Sequence, residues 1–131
     1  MHQNGSYLLD TNIIIGLFNR DQAIQEKMRI KDRVFLAAPA IGELYYGARK
    51  SNKAAENIAK VNRITQQFPL YSCNLETAQR YGYIKDQLRQ KGSLIPDNDI
   101  WIAAVAIQHG LILATRDSHF DEIESLQTER W

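Results

Sequence analysis

Four carboxylates in this chain stand at the edges of apolar runs. Asp10 closes Tyr7-Leu8-Leu9 and opens a helix-like stretch from Thr11. Glu43 lies within Ala40-Ile41-Gly42-Glu43-Leu44-Tyr45-Tyr46. Asp99 opens Ile100-Trp101-Ile102-Ala103-Ala104-Val105-Ala106-Ile107, and Asp117 follows Leu111-Ile112-Leu113-Ala114-Thr115-Arg116. A charge beside a dry core is costly without a partner, and no matching set of cations accompanies these four. A shared divalent metal resolves the conflict and supplies a chemistry. Mg²⁺ and Mn²⁺ are hard cations that favour carboxylate and water oxygens. Such an ion relieves the repulsion among converging acids, positions a water against a phosphodiester and lowers the pKa of that water. No nucleophilic side chain is needed.

Each acid also has a purely structural reading. Asp10 fits a helix N-cap. Glu43 lies opposite the stripe Ile41, Leu44, Tyr45 and Ala48, so exposure is its default. Asp99 suits a helix N-terminus through the macrodipole, with Asn98 or Asp97 as the cap. Asp117 suits the cap of a turn before Phe120. Four unrelated caps are a poorer account of the joint pattern than one shared site.

Other chemistries have less support. His2, His109 and His119 lack zinc-type spacing and read as surface residues. No serine sits in a nucleophile elbow, and there is no glycine-rich phosphate loop. The one cysteine, Cys73, excludes an internal disulfide and reads as a buried apolar side chain. Phosphorylation of Asp10 is disfavoured, because Asp10-Thr11-Asn12 has no second carboxylate two residues on and no lysine follows Lys91.

The elements that must position the acids follow from patterning. The length of 131 residues fits one domain, 1–131, with a real core, and 44% apolar residues argue against disorder. Ser6–Asp10 reads as a strand buried on both faces, followed by a helix over Thr11–Phe18 and another over Gln22–Arg29 capped by Asp21. Val34–Ala37 reads as a strand, and Pro39 starts a helix to about Lys50. A helix over Lys53–Phe68 carries the stripe Ala54, Ile58, Val61, Thr65 and Phe68. Leu70–Cys73 reads as a third strand, and Asn74 caps a helix to Lys91 with Tyr81, Ile84 and Leu88 inward and Gly92 at its end. The segment 98–109 is apolar around its circumference and belongs in the middle of the molecule. Gly110 ends it, Leu111–Thr115 is a strand, and a last strand lies near Ser125–Glu129. This alternation predicts an α/β fold with a mainly parallel sheet covered on both faces, with ligands collecting at the carboxyl ends of its strands.

Charge and targeting signals bound the partners. No apolar run is long enough to span a bilayer, and Met1–Gly5 lacks the basic and apolar regions of a secretory signal, so a cytoplasmic protein with no membrane association is expected. The net charge is +1, but residues 1–91 hold 14 basic and 8 acidic side chains (+6), and residues 92–131 hold 2 and 7 (−5). A basic rim around an acidic centre suits a polyanion; solvated faces on helices 20–33 and 49–63 account for the same asymmetry.

Four segments together resemble a known family. Leu8-Leu9-Asp10-Thr11-Asn12, Pro39-Ala40-Ile41-Gly42-Glu43-Leu44-Tyr45-Tyr46-Gly47, Asn98-Asp99-Ile100-Trp101-Ile102-Ala103-Ala104 and Gly110-Leu111-Ile112-Leu113-Ala114-Thr115-Arg116-Asp117 are similar, in order and spacing, to the motifs of PIN-domain ribonucleases. Length and compactness resemble the VapC-type toxins of bacterial type II toxin–antitoxin pairs. The resemblance implies a PIN-like three-layer sandwich and an endoribonuclease dependent on Mg²⁺ or Mn²⁺, leaving 5′-phosphate and 3′-hydroxyl ends. It implies that Asp10, Glu43, Asp99 and Asp117 hold the metal and carry the catalysis, and that Thr11, Asn12 and Thr115 support them by hydrogen bonding. Asp97, two residues before Asp99, either joins the site or only starts the helix. A small cognate antitoxin, an RNA substrate and a homodimer are further implications. Two alternatives remain at this point: a non-catalytic RNA-binding or regulatory PIN module, suggested by the off-face Glu43 and modest charge, and an rRNA-processing or DNA nuclease using the same site.

Overall fold

Three short runs, Tyr7–Leu9 (β1), Val34–Ala37 (β2) and Ile112–Thr115 (β4), are almost wholly buried, and they form the centre of the sheet. The computed structural model describes residues 5–31 and 33–131, so His2 lies outside the described residues. Leu70–Tyr71 (β3) and Thr128–Arg130 (β5) complete five strands in the order β3-β2-β1-β4-β5, every pairing parallel. Helices Thr11–Phe18 (α1), Gln22–Ile30 (α2), Ala38–Arg49 (α3), Ala54–Gln67 (α4), Leu75–Gln90 (α5) and Asp97–Gln108 (α6) flank the sheet, giving the three layers expected. A central parallel strand is covered on both faces, which is why these runs are continuously apolar rather than alternating.

The chain steps from β1 outward to β2 and β3, then returns across β1 to place β4 and β5 on its other side. The order therefore reverses between β1 and β4, and a crevice opens above their carboxyl ends. Asp10 directly follows β1, and Thr115 ends β4. The register pairs Leu9 with Ala114, and the Asp10 amide extends the ladder by donating to the Ala114 carbonyl at 3.0 Å. Asp10 and Thr115 are neighbours because of that register.

Helix α6 is the central helix its composition requires: Ile100 and Ile102–Ala106 are all buried. Neither Asn98 nor Asp97 caps it. Pro96 occupies the cap position, and Asn98 Nδ2 instead donates to the Pro39 carbonyl at 3.1 Å. This bond joins the start of α6, which carries Asp99, to the start of α3, which carries Glu43. Asn74 caps α5 through a reciprocal bond with Thr77, and Gly92 and Gly110 take the left-handed conformation that ends α5 and α6. In α4 the buried pair is Val61 and Ile64, while Ala54, Ile58, Thr65 and Phe68 are only half-buried. The expected stripe is therefore rotated by part of a turn.

Two further expectations fail locally. Strand β3 is only two residues long, so Cys73 lies beyond it in an exposed connection rather than in the core. His109 is half-buried, with its ring stacked on Tyr71 at 3.7 Å between centroids. No helix among the described residues is long and apolar enough to cross a membrane.

The end of α1 is unusual. Arg20 Nα donates to the Leu17 carbonyl and Asp21 Nα to the Gly16 carbonyl, the bonding pattern of a Schellman stop. The residue in the left-handed position is Arg20, at φ +60°, where glycine is favoured. A side chain there costs about 1–2 kcal/mol. Arg20→Gly is expected to raise unfolding free energy by about 1 kcal/mol in urea titration; a fall in stability would show that the Arg20 side chain stabilises the turn.

Candidate active site

Asp10 is one of three buried polar residues among those described, with 4% of its surface exposed; Thr115 is another. The Asp10 carboxylate accepts from the Thr11 amide at 2.8 Å through Oδ1 and from Thr115 Oγ1 at 2.8 Å through Oδ2. Thr115 Oγ1 also accepts from the Asp117 amide at 3.0 Å, so one hydroxyl links the ends of β1 and β4. Glu43 projects from the exposed side of α3, as its position off the buried stripe dictates. That side faces the start of α1, where Thr11 Oγ1 donates to Glu43 Oε1 at 2.7 Å. Asp99 sits in the first turn of α6, half-buried, where the helix dipole favours an anion.

The four acids feel one another. Burial pushes Asp99 up from the ordinary 3.8 to about 6, and the charges of Asp10, Asp117 and Glu43 push it the same way. Burial likewise raises Asp10, with Asp117 and Glu43 adding to the rise, against the lowering effect of its two hydrogen bonds. Asp10 and Glu43 are not part of the tight set that Asp99 and Asp117 form; they are tied to the strand and helix ends around it through Thr115 and Thr11.

Among the described residues, no lysine or arginine lies within 4.0 Å of any of the four carboxylates. Nearby cations are committed elsewhere. Arg116, adjacent to Asp117, turns away to bind Asp21 through both terminal nitrogens, at 2.9 and 3.1 Å, and its Nε donates to the Trp131 carbonyl. Lys85 pairs with Asp97 at 2.9 Å. Asp97 is exposed and faces Lys85, so the structure does not draw it into the cluster. Asn12 is exposed on the wall of the adjoining groove, and among the described residues it makes no hydrogen bond to the acids.

Sequence reasoning missed His119. Asp117 caps the short 3-10 turn Ser118–Glu122 by accepting from the His119 amide at 2.9 Å, and that turn carries the imidazole back to 3.2 Å from the same carboxylate. Ligand atoms of Asp99, Asp117 and His119 all lie within 4.8 Å of one another. The capping role expected of Asp117 and its place beside Asp99 are thus two uses of one carboxylate. An acid ending a strand with histidine two residues on was the available signal.

Comparison with known proteins fits this geometry. The PIN domain model matches residues 7–126. The chain belongs to the PIN-domain family. It is 34% identical over 128 residues to Ribonuclease VapC2 of Haemophilus influenzae, covering 95% of this chain and 97% of that protein. Its fold superposes on a chain of the DNA-bound VapBC structure from Salmonella typhimurium with a TM-score of 0.90 at 28% identity, covering 97% and 98% of the two chains. A toxin–antitoxin complex from Klebsiella pneumoniae matches with a TM-score of 0.72 at 25% identity, covering 92% and 95%. Within the PIN-domain family the chain is of the VapC type.

The raised Asp99 carboxyl sets a pH dependence in this PIN domain. Its folded form holds the proton more tightly than the unfolded chain does. Protonation therefore stabilises the fold: the contribution is complete below about pH 4 and is lost as pH rises through about 6. The difference between 3.8 and about 6 corresponds to about 3 kcal/mol, which solvent contact at a half-buried group reduces to about 1–2 kcal/mol. In metal-free buffer, thermal unfolding is expected to show higher stability at pH 5 than at pH 7, and Asp99→Asn is expected to flatten that difference. An Asp99→Asn variant with the full wild-type slope would place its cause elsewhere.

Proposed function

We propose that this chain, as a single PIN domain over residues 1–131, is a metal-dependent endoribonuclease and the toxin of a toxin–antitoxin pair. The observation that supports this reading is the pair Asp99 and Asp117, with Asp10 and Glu43 tied in through Thr115 and Thr11 and no lysine or arginine among the described residues within 4.0 Å of any of the four carboxylates. The donor set fits Mg²⁺ or Mn²⁺: hard oxygen ligands, mutually repelling and anchored at strand and helix ends. Asp10, Glu43, Asp99 and Asp117 would hold the ion, and His119 stands beside two of them. When bound, the metal supplies a water of lowered pKa and offsets charge on the phosphodiester.

The protein's own residues prepare the site. Thr115 and the Thr11 amide hold both oxygens of Asp10, so its carboxylate cannot rotate away. Thr11 fixes Glu43 across the crevice from α3. Asn98 keeps the starts of α3 and α6 together, and with them Glu43 and Asp99. In-line attack on an RNA phosphodiester by a water held here leaves 5′-phosphate and 3′-hydroxyl ends. Glu43 off the buried stripe was the observation favouring a non-catalytic module; its tie to Thr11 gives that placement a role in the crevice.

The VapBC complexes among its structural neighbours support a small antitoxin that covers the crevice, with a basic side chain facing the acids. A cytoplasmic homodimer completes the reading. Leu75, Tyr83 and Leu94, each more than 60% exposed, are apolar surface available to such partners. In solution, light scattering is expected to give twice the 15.1 kDa chain mass.

Two measurements test the core of the proposal. Asp10→Asn and Asp99→Asn are each expected to abolish RNA cleavage while keeping the wild-type circular dichroism; full cleavage by both would refute the site. Titrating Mn²⁺ into the wild type is expected to raise unfolding free energy by about 2.7 kcal/mol at a hundredfold excess over Kd, with no rise in Asp99→Asn. An equal rise in both proteins would mean that the ion binds elsewhere.

A further inference from the structure

A groove leads away from Glu43, and the acid cluster gives no account of it. Its first part is a cavity of about 430 Å³ with Ile15, Phe18, Leu44 and Val61 among its lining residues. Phe18 and Lys60 also line a second cavity of about 250 Å³, walled by Arg20, Arg63 and Gln67. The two cavities are neighbours that share Phe18 and Lys60, so together they run from Thr11 and Glu43 toward three cations, a line called the channel below. Glu43 is its only acidic lining residue among those described.

The cations at the far end are free. Among the described residues, Arg20, Lys60 and Arg63 have no carboxylate within 4.0 Å, as is also true of Arg49, Lys50 and Lys53 elsewhere on the surface. Lys60 and Arg63 lie three residues apart on α4 and so share a face. Arg20 reaches the channel from the left-handed position where glycine would be cheaper, and a side chain kept there at a cost invites a functional reason. Gly47, also lining the channel, lies in α3, where glycine weakens a helix relative to alanine. A Cβ at Gly47 would meet nothing within 4 Å, so packing does not require glycine there; its absence keeps the channel wall low.

We propose that this channel is the track for single-stranded RNA flanking the scissile phosphodiester. Arg20, Lys60 and Arg63 hold backbone phosphates, and Ile15 and Phe18 offer apolar surface to the bases. The proposal rests on reading the acid cluster as a ribonuclease centre. An apolar floor alone would suit a peptide equally well. Three unpaired cations along one open wall suit a polyanion, whose phosphates repeat at each nucleotide. The acids exclude phosphate except where a cation offsets their charge, so a substrate held at the crevice needs positive charge at a distance from it, and this channel supplies it.

The test reads binding without cleavage. A fluorescein-labelled oligouridylate about 12 nucleotides long is titrated with the full chain in EDTA across a salt series, followed by anisotropy. For single strands, the slope of log affinity against log salt changes by about 0.7 for each phosphate contact. Arg20→Gly, Lys60→Gln and Arg63→Gln combined are expected to flatten it by about 2, and Arg63→Lys is expected to keep the wild-type slope. In the cleavage assay the combined variant is expected to raise KM with kcat little changed. An unchanged slope in a combined variant that unfolds at or above the wild-type midpoint overturns the proposal. So does wild-type RNA binding together with loss of the co-expressed antitoxin, since the channel would then be a protein-docking groove. A wild type that binds through the channel but cleaves no RNA with Mg²⁺ or Mn²⁺ supports the track and refutes the ribonuclease reading instead.

Discussion

Repulsion among carboxylates at the mouth of the sheet is the constraint around which this molecule is arranged. Four negative charges share one crevice, two of them at the carboxyl ends of adjacent parallel strands and two in the opening halves of helices. Nothing in the apolar interior can offset them, and water reaches Asp10 only slightly. Asp10 and Glu43 are held there by bonds to neutral donors. Thr11, Thr115 and the first amide of α1 supply those donors. Asp99 stands in the same surroundings: its carboxyl is pushed up to about 6, first by partial burial and then by the charges of Asp10, Asp117 and Glu43.

The neighbouring cations show that the repulsion is retained rather than relieved. Arg116 is adjacent in sequence to Asp117 and long enough to reach the cluster, yet it spans the gap to Asp21 and the chain's last residue. In doing so it fixes the loop after β4 against the cap of α2. Lys85 is likewise held at Asp97, on the outer side of α6. These pairs are exposed, and each adds little stability on its own. Their effect is to keep the Arg116 and Lys85 side chains out of the crevice.

Much of the fold was legible because the chain follows simple periodicities. The buried runs at 7–9, 34–37 and 112–115 have no alternation, which marks central parallel strands, and Asn74, Gly92 and Gly110 punctuate the helices in the expected way. The errors have local causes. Leu70–Cys73 looked like a full strand, but an edge strand with one neighbour needs only two residues, so Cys73 falls outside it. The α4 stripe was displaced because the apolar Ile64, rather than the adjacent Thr65, takes the inward place beside Val61. At the site, Asp10 and its link to Thr115 follow from register, which the motif order already implied. His119 did not follow, because its approach to Asp117 depends on a turn only five residues long. Asn98 was read as a cap, and its bond to Pro39 depends on the mutual placement of two helices separated by 59 positions.

Several features that cost stability lie near one another: the crowded acids, the left-handed Arg20 and the helix glycine at Gly47, beside α1 and α4. A helix glycine with open space around it also occurs in α5, at Gly82. No buried side-chain polar atom among the described residues is left without a partner, and the core is a continuous apolar cluster through all three layers. A fold selected for stability alone would pair the carboxylates, put glycine at position 20 and alanine at position 47. That these departures share one surface, negative at one end and positive at the other, is the physical reason behind the proposal that it takes a polyanion.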